Sequence, residues 1–145
     1  MSRRIVLSCG IIMLLFLAGC QGTSFSSSCN LRANENAAVC EVTIDSLSGE
    51  LERTINVEFI STGASDLPLM VDMTVGSGTV ELRYIDADGD AVTEQADSSE
   101  ALNLVDRIQI NGKQSSITFA SVGGSAGDIT ATVTVSAADS ESDAD

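Results

Sequence analysis

Apolar side chains in this chain recur at every second position, not every third or fourth. Leu51, Ile55, Val57 and Phe59, with Arg53 in the same register, alternate with Glu52, Thr54, Asn56 and Glu58. The pattern returns in Leu69, Val71, Met73 and Val75, with Asp72 and Thr74 between them. Val80, Leu82 and Tyr84 follow against Glu81 and Arg83, and Ile129, Ala131, Val133 and Val135 repeat it with threonines on the other face. Successive side chains of a strand point to opposite faces, so each run is a strand with one buried side. Gly76-Ser77-Gly78, Asp88-Gly89, Asn111-Gly112 and Gly123-Gly124 punctuate the runs as turns. The expected fold is all-β: a small β-sandwich of about eight to ten short strands, immunoglobulin-like or jelly-roll-like, with an eight-stranded barrel as the second choice. Only residues 97–107 leave room for a brief helix.

The N-terminus obeys different rules. Arg3 and Arg4 precede an apolar stretch from Ile5 to Leu17, broken only by Ser8 and Gly10, and Ala18, Gly19 and Cys20 close it. A membrane-spanning helix needs ~20 apolar residues, and the polar Gln21-Gly22-Thr23 ends this stretch short of that. Positive residues, a short apolar core and small residues at its end describe an export signal rather than an uncleaved anchor. Leu17-Ala18-Gly19-Cys20 resembles the lipobox of prokaryotic lipoprotein signal peptides. The resemblance covers residues 1–20 alone. It implies removal of residues 1–19 and a diacylglycerol on the Cys20 thiol, with palmitate-like chains anchoring the protein to a lipid bilayer. Gln21 in place of aspartate implies outer-membrane sorting in a two-membrane host, and otherwise the extracytoplasmic face of the cell membrane. Ser2-Arg3-Arg4 also resembles the start of a twin-arginine signal, but the apolar run begins at once, which favours general secretion.

Cysteine usage agrees with export. Cys9 leaves with the signal and Cys20 carries lipid, so Cys29 and Cys40 remain as an even pair in an oxidising compartment. Asn34-Glu35-Asn36 between them is turn chemistry. A hairpin centred between Asn34 and Glu35 sets Leu31 opposite Ala38 and Cys29 opposite Cys40, close enough for a cross-strand disulfide. The spacing fits no CxxC metal or redox site, and the chain has no histidine.

These readings divide the chain into four: a signal at 1–19, the lipidated cysteine and a flexible tether at 20–28, a β-sandwich domain at 29–137, and a disordered acidic tail at 138–145. The net charge is −14, and with Arg3 and Arg4 removed 5 basic residues face 21 acidic ones, a net of −16. Such a body is repelled by nucleic acid and by anionic headgroups. High acidity with scarce lysine also matches the composition of salt-adapted proteins.

Asp86-Ala87-Asp88-Gly89-Asp90 is the most chemical-looking stretch. Aspartates alternating on a tight loop can offer several oxygens to Ca²⁺. Against an EF-hand loop, however, Ala91 stands where glycine is needed, and Asp97 stands where the final glutamate belongs. The plainer reading is a hairpin turn joining 80–85 to 91–95, with Asp88-Gly89 at its tip. Without histidine, no Ser-His-Asp or Cys-His arrangement can form. A Ser–Lys pair would need Lys113, which sits beside Asn111-Gly112 as a hairpin-tip residue. A carboxylate-based enzyme would need two buried carboxyls facing across a cleft. Carbohydrate recognition usually shows aromatic platforms, whereas this chain has no Trp and one Tyr. The sequence thus describes a non-enzymatic envelope lipoprotein that binds another envelope protein through sheet edges or loops, with a calcium-binding module using Asp86, Asp88 and Asp90 as the alternative.

Overall fold

The structure, a computed structural model, describes residues 24–32, 37–59 and 63–136. The signal, Cys20, the hairpin tip Asn34-Glu35-Asn36 and the tail at 138–145 lie outside the described residues. Within them run seven strands: β1 (Phe25–Arg32), β2 (Ala37–Ser48), β3 (Glu52–Glu58), β4 (Asp66–Ile85), β5 (Ala91–Asp97), β6 (Leu102–Gln109) and β7 (Gln114–Ser136). Every pairing is antiparallel.

β4 has 20 residues and β7 has 23. Drawn straight at about 3.3 Å per residue, β4 alone would be about 66 Å long, roughly twice the width of a 100-residue domain. The two strands therefore bend together. The N-terminal half of β4 and the C-terminal half of β7 pair at the centre of a five-stranded sheet ordered β1-β2-β7-β4-β6. Their other halves pair at the centre of a four-stranded sheet ordered β3-β7-β4-β5. One folded sheet thus makes both layers of the sandwich, with strands that change layer at a corner. The sheet does not close, so the barrel alternative is set aside.

The corner lies where the sequence suggested turns. Leu69, Val71, Met73 and Val75 face the core before it, and Val80, Leu82 and Tyr84 after it. That switch from odd to even positions requires an irregularity, and the β4–β7 register shifts between Ser77 and Thr79. Gly78 has φ +74°, and a Cβ there would stand 2.8 Å from Ala126 Cα and closer still to the Ser125 carbonyl oxygen. Gly76-Ser77-Gly78 and Gly123-Gly124 are therefore bends inside continuous strands and not chain reversals. This is why seven long strands replace the eight to ten short ones expected.

Two further expectations change. Phe25–Ser28, assigned to the tether, form the first half of β1; Phe25 packs against the core and lies under Arg53, whose guanidinium carbon is 5.6 Å from the ring centre. The helix considered over 97–107 is a turn followed by β6. Asp97 Oδ1 accepts hydrogen bonds from the Ser99 and Glu100 amides at 2.7 and 3.0 Å. That ends β5, and Leu102, Leu104 and Ile108 then face inward at strand spacing. The core is a single cluster drawn from both sheets, with Ile44, Leu69, Leu82, Ile117, Phe119 and Ile129 fully buried.

Candidate functional site

The Cys29–Cys40 pair falls as the hairpin arithmetic required. Cys29 is opposite Cys40 and Leu31 opposite Ala38. The two cysteines are disulfide-bonded with Cα atoms 4.0 Å apart. Cys40 is fully buried beside Val133 of β7, so the bond ties edge strand β1 to the core.

The acidic loop is a hairpin turn joining β4 to β5, with Ile85 opposite Ala91. Asp86 organises it. Its Oδ1 accepts hydrogen bonds from the Asp88 and Asp90 amides, both at 2.9 Å, and the Asp86 amide donates to the Asp90 carbonyl at 2.9 Å. This carboxylate oxygen therefore already serves the backbone, while Asp88 and Asp90 project into solvent. Among the described residues no three acidic or cysteine side chains converge as metal ligands do. Lys113 is exposed on the tip between β6 and β7, where the Asn111 and Gln114 backbones exchange hydrogen bonds at 2.9 and 3.1 Å.

The outer face of the four-stranded sheet is polar and paired within itself. Arg83 forms ion pairs with Glu81 and, at 2.6 Å, with Glu52. The hydrogen bond from Arg83 is the main cause that holds Glu81 below the usual carboxylate range. The Thr54 and Thr118 hydroxyls are 2.8 Å apart, and Ser116 Oγ donates to Asn56 Oδ1 at 2.8 Å. Beside them lies a shallow depression of about 320 Å³ whose lining includes Arg83, Ile85, Ala91, Ser116 and Thr118. Most of the groups that could hold a polar ligand there are satisfied by one another.

Sequence reasoning missed a side-chain contact at the open end of the sandwich, where Asp86 and Ile108 also form a backbone bridge. Tyr84, on the four-stranded sheet, donates a hydrogen bond to Asp106 of β6 on the other sheet. Burial, followed by the Asp106 carboxylate, raises the phenol well above its ordinary value. Asp106 sits at an inward position between Leu104 and Ile108, and that polar residue in an apolar register was the available signal.

The outer face of the five-stranded sheet is different. One row across it reads Asn30, Val39, Thr134, Met70 and Val105. Met70 and Val105 are directly opposed and remain 50% and 78% exposed. The next row reads Ser28, Glu41, Thr132, Asp72 and Asn103. Beyond it Ser26, Thr43, Thr130 and Thr74 form a hydroxyl row.

No protein-family model and no curated protein matches this chain. Solved structures do. One mutant of a family 29 carbohydrate-binding module aligns at TM-score 0.42 and 15% identity, covering 79% of this chain and 82% of that one. A second mutant, complexed with mannohexaose, aligns at TM-score 0.41 and 17% identity over 81% of this chain and 83% of that one. A family 29 carbohydrate-binding module gives the same TM-score and identity over 81% and 80%. The likeness is one of all-β fold. The aromatic rings in the described part of this chain, Phe25, Phe59, Tyr84 and Phe119, are buried or half-buried, so none offers an open platform for a sugar ring.

Proposed function

We propose that this protein is a non-catalytic binding module of the cell envelope, held at a membrane by lipid on Cys20 and engaging another envelope protein through its five-stranded sheet. The observation that carries the binding role is the Met70–Val105 pair. Both apolar side chains stand side by side on a sheet face although the fold gains nothing from exposing them. Isolated apolar residues are ordinary on a surface, but an opposed pair at the end of a sheet is a ready contact. The anchoring role is supported by the lipobox resemblance together with the start of β1 at Phe25, which leaves a short run of chain between Cys20 and the folded body. Five residues extend at most ~18 Å, so the body would be held beside the bilayer.

Two measurements in cells of the host test this reading. Intact mass of the membrane-extracted protein is expected to show loss of residues 1–19 and lipid on Cys20, with Cys20→Ala releasing the body or leaving the precursor uncut. A photo-crosslinking residue is placed in turn at Thr54, Met70, Thr130 and Val105. Joining to one discrete envelope protein from the five-stranded sheet is expected. An unprocessed chain without lipid overturns the anchor, and no adduct from any position overturns the binding role.

A further inference from the structure

β4 and β7 run together as far as the Arg83–Thr118 pair, where their ladder ends. Both strands extend past it, β4 to Ile85 and β7 back to Gln114. They part there, and a cavity of about 150 Å³ opens in the fork, lined by Ile85, Gln109, Asn111, Gln114, Ser115 and Ser116. It lies at the far end of the sandwich from Phe25, which is in line with Ile44, Ile129 and Val75 next to the glycine corner. It is separate from the five-stranded face and independent of the partner proposed for that face. In the neighbouring depression most polar groups satisfy one another. Here, among the described residues, the side chains of Gln109, Asn111, Gln114 and Ser115 have no hydrogen-bond partner. Exposed amides are ordinarily left to solvent, but Ser115 is not exposed. It occupies the inward register of β7 with Ile117 and Phe119 and is 6% exposed. Buried polar groups are nearly always hydrogen-bonded, and the cavity that Ser115 lines is where a partner for its hydroxyl has room.

We infer that this cavity binds a single neutral sugar ring. A cavity of ~150 Å³ admits one six-membered ring, and the lining decides which kind. An apolar ring would cover three amides and a hydroxyl without pairing them, which is costly. A primary amide carries a donor and an acceptor side by side, and a serine hydroxyl is both. The set therefore matches a ring that bears several hydroxyls, which donate and accept in the same way. No carboxylate, lysine or arginine lines the cavity, so a cation has no counter-charge to hold it. Glu58 stands opposite Gln114, and the acidic turn packs alongside, where a Cβ on Gly89 would lie 3.5 Å from Gln109 Nε2. These carboxylates repel an anionic sugar. The lining has no aromatic side chain, so the ring is held at its edges by hydrogen bonds instead of being stacked. Ile85 and Ser116 also line the depression of about 320 Å³, so the ring can carry a substituent on that side.

The test uses the full chain in detergent micelles with isotope-labelled amides. The probes are the methyl glycosides of glucose, galactose, mannose and N-acetylglucosamine. The controls are the methyl glycoside of glucuronate, which adds a carboxylate to the same ring, and cyclohexanol, which keeps the ring size and one hydroxyl. At least one of the neutral glycosides is expected to shift the side-chain amide signals of Gln109, Asn111 and Gln114 saturably, with a Kd in the millimolar range. Both controls should bind roughly tenfold more weakly or worse. Gln109→Leu and Gln114→Leu should each weaken the glycoside by up to roughly tenfold, the scale of one hydrogen bond, and Ser115→Ala by roughly threefold. Ser115→Ala removes only an oxygen, so the fold survives it. Thr54→Val, on the same sheet but outside the cavity, should change nothing. No saturable shift from any glycoside, shifts centred away from the cavity, a control that binds equally well, or unchanged affinity in Gln109→Leu and Ser115→Ala would each overturn the inference. Crosslinks from the five-stranded face report on the envelope partner alone, so either result can fail without the other.

Discussion

Tyr84 and Asp106 face one another from different sheets and share a hydrogen bond at the open end of the sandwich, opposite the glycine corner. The corner joins the layers covalently at one end; this pair joins them at the other. Burial and Asp106 both favour the protonated phenol. A group whose folded value is raised stabilises the fold fully below its unfolded value, about 10 for tyrosine, and the stabilisation is lost as pH climbs toward the folded value. Tyr84 is the only tyrosine, so phenolate absorbance reports on this site alone. It should stay silent above pH 10 until the protein unfolds, then appear together with loss of β-sheet circular dichroism. Tyr84→Phe should cost about 1–1.5 kcal/mol in denaturant melts at neutral pH, since it orphans a half-buried carboxylate, and it should flatten the alkaline limb. A phenol that ionises near pH 10 in the folded protein would contradict the contact.

Removing the disulfide by Cys29→Ser with Cys40→Ala should lower stability by about 2–3 kcal/mol, the scale for closing a short loop. The remaining pairs of β1 and β2 are expected to persist, so far-ultraviolet circular dichroism stays that of the native sheet. A non-reduced tryptic map should recover both cysteines in one linked species.

The corner makes a sharper claim. Gly78→Ala places a methyl group against the Ala126 backbone at a φ of +74°. Its cost should exceed about 3 kcal/mol, because backbone on the opposite strand must move as well as the residue itself. Gly112→Ala has a similar φ, +67°, and open space around it. It should cost only about 1–2 kcal/mol for the left-handed conformation. Equal melting temperatures for the two variants would show that the close approach is not real.

In the acidic turn the three aspartates should prove unequal. Asp86→Ala strips two backbone amides of their acceptor and should cost about 1 kcal/mol. Asp86→Asn keeps an oxygen in place and should recover most of it. Asp88→Ala should fall within about 0.5 kcal/mol of the parent, as exposed substitutions do. Calcium titration by calorimetry is expected to give no saturable heat in the micromolar range.

Half-buried strands were legible because alternation is a local signal. Leu51 to Phe59, Leu69 to Val75, Val80 to Tyr84 and Ile129 to Val135 all lie in strands or at their ends, and the cysteine register followed from the turn residues alone. What failed depended on information not held locally. Glycines report that φ must be positive but not whether the chain reverses or bends, so from sequence Gly76-Ser77-Gly78 looks like a break between two strands. Ser26, Ser27 and Ser28 look like linker because the partner that orders them, β2, comes later in the chain. β6 was obscured because Asp106 occupies an inward position and Val105 an outward one, which inverts the expected alternation. Of the candidate surface, the residues are plain in the sequence. Their assembly into rows depends on four pairings across five strands.

Load-sharing follows from where the disulfide sits. A pull arriving through the N-terminus first reaches β1, an edge strand that would otherwise peel from β2 one residue at a time. Only Phe25, Ser26, Ser27 and Ser28 lie between that end and Cys29. Once they are stripped, the covalent bond passes the force to Cys40 in β2, which is laddered to β7 from Ala37 to Ser48. Under oxidising conditions such a pull would strip the four residues of β1 before Cys29 and then meet the disulfide. In reducing buffer the same pull would run on past Cys29 toward the hairpin tip.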